Sequence, residues 1–321
     1  MKIFITGSEG FIGKPLCKAL RELGHAVTGY DHSPAALNDV NQINGDILDY
    51  DHLAASIQDE TDLIIHLAAE HKDEGPTDED YYRVNETGTL HIVKAAEEKN
   101  ITKVIFFSTV GVYGNQTYPN ESAELSPINV YGASKVAAEK IVEEWVTAFD
   151  ERSAVIVRPT AVYGPENRAN IFRLLKQGST GMFIMPGSGN HHKSIIFLDN
   201  AVASCIFLMD HITTGFQAFN LVDEPSLSLN ELIALIRTAS GKKGAVVHLP
   251  IFLLNCLLPF YRLLQIIRNQ PKSLSLSRLK KITAQSHFDG SKIRGLGFVQ
   301  PVSNEDGIRK TIAWNDTNGW D

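Results

Sequence analysis

The sequence predicts an α/β fold, a doubly wound parallel sheet with a smaller C-terminal lobe. Three observations predict it. A glycine-rich turn lies just inside the N-terminus, between a β-rich run and a segment of helical period. Beyond it, short and nearly continuous apolar runs alternate with helical segments, as in parallel strands covered on both faces. From about Gly164 the rhythm changes, and Gly and Pro punctuate shorter elements.

Lys2 to Ile5 reads as the first strand, Phe11 to Leu23 as the first helix and Ala26 to Tyr30 as the second strand. Leu63–His66, Val104–Ser108 and Val155–Val157 are the next apolar runs, separated by helical periods such as Glu86–Glu98 and Val136–Phe149. A strand is expected at Ser194–Phe197 and a helix from Asn200 to Met209. The expected division is a dinucleotide-binding domain over 1–164, its sheet completed by about 194–222, and a substrate lobe over 165–321. Composition narrows the function. The 321 residues carry a net charge of −7, which argues against a nucleic-acid binder. Cys17, Cys205 and Cys256 lack metal-ligand spacing, so neither a disulfide framework nor a metal site is expected. The adjacent His191 and His192 read as a solvated loop rather than a metal site. No secretory signal is legible, and a reduced cytoplasmic protein is the simplest expectation.

Thr6-Gly7-Ser8-Glu9-Gly10-Phe11-Ile12-Gly13 has the pattern T-G-x-x-G-x-x-G between strand and helix. Gly7 permits the tight turn, Gly10 lets a pyrophosphate approach the backbone, and Gly13 allows close packing. The phosphates would face the unpaired N–H groups of a helix N-terminus. Asp31 ends the second strand 18 residues after Gly13, where a carboxylate can accept from an adenosine ribose. It would repel a 2′-phosphate, so NAD is preferred over NADP. An ordinary strand-end aspartate is the alternative. Asp46 could reach the adenine amino group or simply hold a turn.

Tyr131-Gly132-Ala133-Ser134-Lys135 is a Y-x-x-x-K pentad at the opening of a long helix. The i, i+4 spacing puts phenol and ammonium on one face. Oxidising an alcohol requires a base, and tyrosine is a poor one at its free pKa of about 10. A nearby cation favours phenolate. Ser108 and Thr109 end the strand before it, Thr109 standing 22 residues ahead of Tyr131. A hydroxyl there can hold a sugar oxygen beside the phenol, or cap the strand end.

With these pieces in place the chain resembles the NAD-dependent epimerase/dehydratase family, the extended short-chain dehydrogenases. The resemblance rests on TGSEGFIG, GYD, GDILD, HLAA, VNETGT, FFSTVGVYG, YGASK, RPTAVYGP and GIRKTIAW, in that order along nearly the whole chain. It implies a Rossmann domain that binds NAD and a small lobe that binds a nucleotide sugar. It puts Thr109, Tyr131 and Lys135 in the catalytic positions. Gly7, Gly10, Phe11, Ile12, Gly13, Asp31, Asp46, Ile47, Leu67, Ala68, Ala69, Asn85, Ser108 and Pro159 fall on cofactor positions, with Tyr131 and Lys135 shared. Thr109, Asn170 and Lys193 fall on substrate positions; a lysine supplies charge there but no bidentate fork. A homodimer through Glu86–Glu98 and Val136–Phe149 is also implied.

Departures from the family patterns select the reaction. Gly111 in Thr109-Val110-Gly111-Val112-Tyr113-Gly114 stands where dehydratases and decarboxylases carry acids. Dehydration and decarboxylation are therefore not expected. What remains is 4-epimerisation of a nucleotide-linked or lipid-linked sugar, with NAD-dependent 4-keto reduction as the alternative. Hydroxysteroid-like dehydrogenation and a non-catalytic NAD-sensing regulator are more distant. Ala161 replaces an asparagine usual in UDP-galactose 4-epimerases, which weakens UDP-glucose as the substrate. Residues 232–288 contain no Asp or Glu and nine Lys or Arg, around the apolar run from Leu249 to Ile267. Pro259 and Arg262 break that run, so it should not span a membrane. The segment 249–281 either lies on an anionic membrane surface or covers the substrate lobe.

Overall fold

The computed structural model describes residues 1–34, 41–72, 75–253 and 285–320. The chain forms two compact units. The first comprises Met1–Val162, Ile196–Asp223 and Phe288–Val302; the second comprises Tyr163–Ile195, Glu224–His287 and Ser303–Asp321.

The first unit is built on a seven-stranded sheet. Its strands are β1 (Lys2–Thr6), β2 (Ala26–Asp31), β3 (Asn41–Asn44), β4 (Leu63–His66), β5 (Lys103–Phe107), β6 (Ser153–Pro159) and a last strand, Gly215–Leu221. The spatial order is last strand–β6–β5–β4–β1–β2–β3, and every neighbouring pair is parallel. Strand order reverses between β1 and β4, where Thr6 pairs in register with His66. In open parallel sheets a ligand binds at the carboxyl ends beside such a reversal.

The apolar runs are explained by the two faces of the sheet. Ile3, Ile5, Ile65, Ile105 and Val155 pack on one side with Leu16 and Leu20 of α1 (Gly13–Glu22). Phe4, Ile64, Val104, Phe106 and Ile156 pack on the other, against α4 (Gly88–Glu98) and α5 (Val130–Thr147). Alternate residues of one strand thus enter different cores, and both must be apolar. Strand β3, sequence NQIN, departs from that pattern. It lies at the sheet edge, where burial makes little demand, and its polarity hid it from sequence reasoning. Two short helices flank β4: α2 (Tyr50–Ser56) before it and α3 (Asp78–Tyr82) after it. The helix expected at Glu86–Glu98 begins instead with a π-helical turn, Arg83–Thr87, that continues into α4.

The second unit carries α6 (Asn170–Gly178) and, with α7 (Leu198–Met209) belonging to the first unit, α8 (Leu229–Ala239). Ser228 and Glu231 close a capping box at the start of α8. Strands Phe183–Pro186 and Val246–Leu249 pair in parallel, and His192–Lys193 pairs with Leu227–Ser228. His192 is therefore on a strand rather than in a loop, its ring stacked on His287 at 4.2 Å. Of the basic apolar segment 249–281, residues 254–281 lie outside the described residues. Among the described residues no helix is long and apolar enough to cross a membrane.

Candidate active site

The glycine turn joins β1 to α1. Gly7 has φ +71°, a left-handed conformation that favours glycine, and a Cβ on it would stand 2.6 Å from the Ala68 nitrogen. A Cβ on Gly13 would meet the Gly7 carbonyl oxygen and stand 2.8 Å from the Ser8 Cα. The third glycine therefore lets the helix close onto its own turn. Over Gly10 only the turn's own Gly7 carbonyl group comes within reach, with its oxygen at 3.0 Å, so the outer side of the turn is open. Helix α1 has no side-chain cap; the Lys14 N–H is taken by the Gly10 carbonyl at 3.1 Å and Pro15 has none, so an anion would be met by the N–H groups of the turn just ahead, up to Gly13. These features fit a pyrophosphate. Gly13→Ala is expected to weaken dinucleotide binding at least about tenfold and to lower thermal stability, since backbone must shift to admit the methyl group. Calorimetric titration with NAD checks it.

Asp31, 8% exposed, accepts hydrogen bonds from the Glu9 N–H at 3.0 Å and the Ser33 N–H at 2.8 Å. One acceptor site on each oxygen is so used, and a carboxylate has about four. Asp31 thus fastens the turn and retains capacity for ribose hydroxyls. Asp46 accepts from the Leu48 N–H at 2.9 Å and makes a turn there. Ile47 lies in the core under Gly88, and Phe11 and Ile12 pack at the edge of the opposite core. Leu67 continues the β1 pairing through its N–H to the Thr6 carbonyl at 3.0 Å.

Helix α5 is started by Asn129, whose side chain accepts from the Gly132 N–H at 2.8 Å. Tyr131 and Lys135 follow in its first turns. The Thr109 hydroxyl accepts from the Gly111 N–H at 3.0 Å, which leaves its proton to donate to the Tyr131 phenol. Burial pushes that phenol up to about 12; the Thr109 hydrogen bond acts downward, and nearby Tyr81 adds to the rise. Lys135 is 1% exposed, with Nζ 4.1 Å from the Phe106 ring centroid. Burial pushes its ammonium down to about 7, against the opposing pull of Glu139. The mutual sharpening expected from the pentad is therefore absent from the protein alone. A lysine half-discharged near neutral pH exerts a weak field, and desolvation dominates both groups. Beside them, the Ser108 Oγ is buried at the end of β5 with no partner among the described residues. Buried hydroxyls are normally bonded, so this atom is available to a ligand.

Sequence reasoning missed a buried chain of hydrogen bonds behind this pair. Thr6 Oγ1 meets His66 Nδ1 at 2.6 Å, and His66 Nε2 meets Thr89 Oγ1 at 3.1 Å. Thr89 donates in turn to the Asn85 carbonyl at 2.6 Å. The Asn85 side chain donates to the Ser134 hydroxyl at 2.9 Å, and Ser134 donates to the Tyr131 carbonyl at 2.9 Å. Burial, with Lys135 adding to it, pushes His66 down to about 3, so it is neutral. Asn85 sits in the π-helical turn, a feature frequent at functional sites, and is fixed further by the Glu70 N–H at 2.8 Å. The signal for His66 lay in HLAA, where a histidine ends an otherwise apolar strand. Arg158, which precedes Pro159 at a strand end and reads from sequence as structural, is bound to Glu139 of α5 at 2.6 and 3.0 Å. It also donates to the Tyr113 hydroxyl at 2.7 Å.

Pro159 ends β6 within the first unit. Asn170 opens α6, and Lys193 lies on the strand His192–Lys193; both belong to the second unit. Burial pushes the Lys193 ammonium down to about 8.

A parallel sheet with a glycine turn at its strand-order reversal, and a Thr–Tyr–Lys set beyond the next strand, defines a dinucleotide-binding α/β protein of the short-chain dehydrogenase type. Comparison narrows the class. The NAD dependent epimerase/dehydratase family matches residues 3–221, and the chain belongs to it. It is 33% identical to the N-acetyl-alpha-D-glucosaminyl-diphospho-ditrans,octacis-undecaprenol 4-epimerase of Escherichia coli O157:H7, over 97% of this chain and 94% of that one. It is 25% identical to a 2-alkyl-3-oxoalkanoate reductase of Stenotrophomonas maltophilia, over 98% and 99%. The fold is shared with a UDP-glucuronic acid 4-epimerase from Bacillus cereus in complex with NAD, at TM-score 0.76, 23% identity and 99% coverage of both chains.

Proposed function

We propose that this protein is an NAD-dependent 4-epimerase of a sugar carried on a diphosphate, the carrier being a nucleotide or a polyprenyl lipid. The observation that carries the reading is the set at the carboxyl end of the sheet, where the Thr109 hydroxyl, which favours ionisation of the Tyr131 phenol, follows the unpartnered, buried Ser108. The similarity to a 4-epimerase of a diphospholipid-linked N-acetylglucosamine supports the reaction and the carrier class.

The residues fit the cofactor. Gly7, Gly10, Phe11, Ile12 and Gly13 would receive the pyrophosphate, Asp31 the adenosine ribose, and Asp46 and Ile47 the adenine. Leu67, Ala68, Ala69, Asn85, Ser108 and Pro159 would line the nicotinamide side, and Lys135 would donate to its ribose. When bound, NAD supplies reversible removal of hydride from C4 of the sugar and is regenerated within each cycle. Tyr131 accepts the proton of the C4 hydroxyl as the ketone forms and returns it when the alcohol is restored. Thr109 holds that oxygen beside the phenol. With no sugar bound, its one proton favours the phenolate, as the downward effect on Tyr131 indicates; with sugar bound, that proton turns to the C4 oxygen. Asn85 and Ser134 fix the first turn of α5 through the Tyr131 carbonyl. Asn170 and Lys193 are assigned to the diphosphate, Lys193 as a point charge. Gly111 offers no carboxylate for elimination, so dehydration and decarboxylation are excluded from the proposal.

A cytoplasmic site of action fits the free, buried Cys17 and Cys205. A homodimer through Glu86–Glu98 and Val136–Phe149 is proposed from the family resemblance, and the exposed Leu90 and Phe149 are compatible with it. Purified protein should interconvert the 4-epimers of N-acetylglucosamine carried on UDP or on a polyprenyl diphosphate, without net change in nicotinamide absorbance. The relationship to a reductase gives the competing outcome: stoichiometric loss of NADH with a 4-keto substrate would replace epimerase by reductase.

A further inference from the structure

In the second unit, the parallel pair Phe183–Pro186 and Val246–Leu249 buries one face and exposes the other. Phe183 and Met185 point into the core, at 4% and 0% exposure. Ile184, between them, is 47% exposed, and its register partner Val247 is 39% exposed. Met182 extends the exposed side at 62%. The second strand then leads into Ile251 and Phe252, which are 46% and 69% exposed. Ile251 lies against the end of the first strand, since a Cβ on Gly187 would stand 3.5 Å from its Cδ1. Large apolar side chains therefore run together over one surface, which solvated proteins rarely allow without a partner.

Two described cations adjoin this surface. Lys242 and Lys243 are exposed immediately before Val246. Residues 232–288 hold nine of the chain's thirty Lys and Arg and none of its thirty-seven Asp and Glu. The other twenty-one basic residues are thus outnumbered by all thirty-seven acids in the rest of an anionic chain. An apolar surface beside cations, on a chain otherwise acidic, is complementary to an anionic lipid bilayer. No described helix could cross the bilayer, so the contact is one of lying on it.

We infer that the face formed by Met182, Ile184, Val247, Ile251 and Phe252, with Lys242 and Lys243, docks the protein on the surface of an anionic membrane. The inference deepens the proposed function by favouring the lipid carrier over the nucleotide. Its test needs no turnover, so failure of either leaves the other standing. Full-length protein is sedimented with sucrose-loaded vesicles of phosphatidylcholine, alone or with phosphatidylglycerol. Binding is expected only with phosphatidylglycerol, and should weaken about tenfold or more as salt screens the lysines. The Lys242→Gln/Lys243→Gln pair should weaken binding about 25-fold, roughly fivefold per charge. Ile184→Asp/Phe252→Asp should abolish it, whereas Lys140→Gln on α5 should leave it unchanged. All these sites are exposed, and unchanged melting temperatures establish that the variants fold. Three results would each overturn the inference: no binding at low salt, equal binding to neutral vesicles, or conversion of an oligomer to monomer by the apolar pair with vesicle binding intact.

Discussion

Replacing Tyr131 with Phe is expected to lower epimerase turnover by about 10²- to 10⁴-fold, the usual contribution of a positioned proton-transfer group. NAD affinity should stay within about threefold, because the phenylalanine keeps the ring that packs beside Tyr81, with centroids 6.2 Å apart. The physical reason is the site's own acid–base balance. Burial, the largest cause at each group, holds the phenol near 12 and the Lys135 ammonium near 7, so the ligand-free protein keeps tyrosine protonated. Positive charge brought by the cofactor acts in the other direction. Ultraviolet titration of the wild type against the Tyr131→Phe variant should therefore find one phenol ionising at lower pH with NAD than without it. Turnover should rise with pH through the lower value. A variant retaining full turnover would remove tyrosine from the chemistry.

The largest loss of stability is expected from Arg158→Met. Its side chain and that of Glu139 are 4% and 2% exposed. Removing the guanidinium strands the buried Glu139 carboxylate of α5 and costs about 3–5 kcal/mol. It also deprives the Tyr113 hydroxyl of a donor, although that hydroxyl still donates to Asn220 at 2.8 Å. Replacing both partners, Arg158→Met with Glu139→Leu, should recover most of that loss, because the pair's desolvation cost disappears with it. Denaturant unfolding of the two variants measures the difference. A single variant within about 1 kcal/mol of wild type would show that the pair is hydrated and of little consequence.

The site was partly legible in sequence, for identifiable reasons. The glycine turn could be read because Gly7 and Gly13 are demanded by backbone geometry, and such demands leave few residue choices. Strand β5 and the pentad could be read because the strand enters both cores and the pentad has a fixed helical spacing. Thr89 and Ser134 could not be read, and His66 offered only its place at the end of an apolar strand. They are polar residues brought together from β4, α4 and α5, with sequence separations of 23 and 49 along the hydrogen-bonded chain. Nothing local distinguishes Thr89 and Ser134 from ordinary helix-surface groups. The π-helical turn at Asn85 is likewise invisible, since its period differs little from that of the helix it enters. The phenol's upward shift was also beyond spacing arguments, because i, i+4 geometry says nothing of how deeply the ammonium is buried.

Isotope tracing tests the redox cycle most directly. Purified protein is given a diphosphate-linked N-acetylglucosamine deuterated at C4, in ordinary water and with no cofactor added beyond what it retains. The epimeric product should carry its deuterium at C4, because the same hydride leaves one face of the ring and returns to the other. Product formed with the label lost to solvent, or formed only as external NADH is consumed, would contradict the cycle assigned to Tyr131 and its bound cofactor.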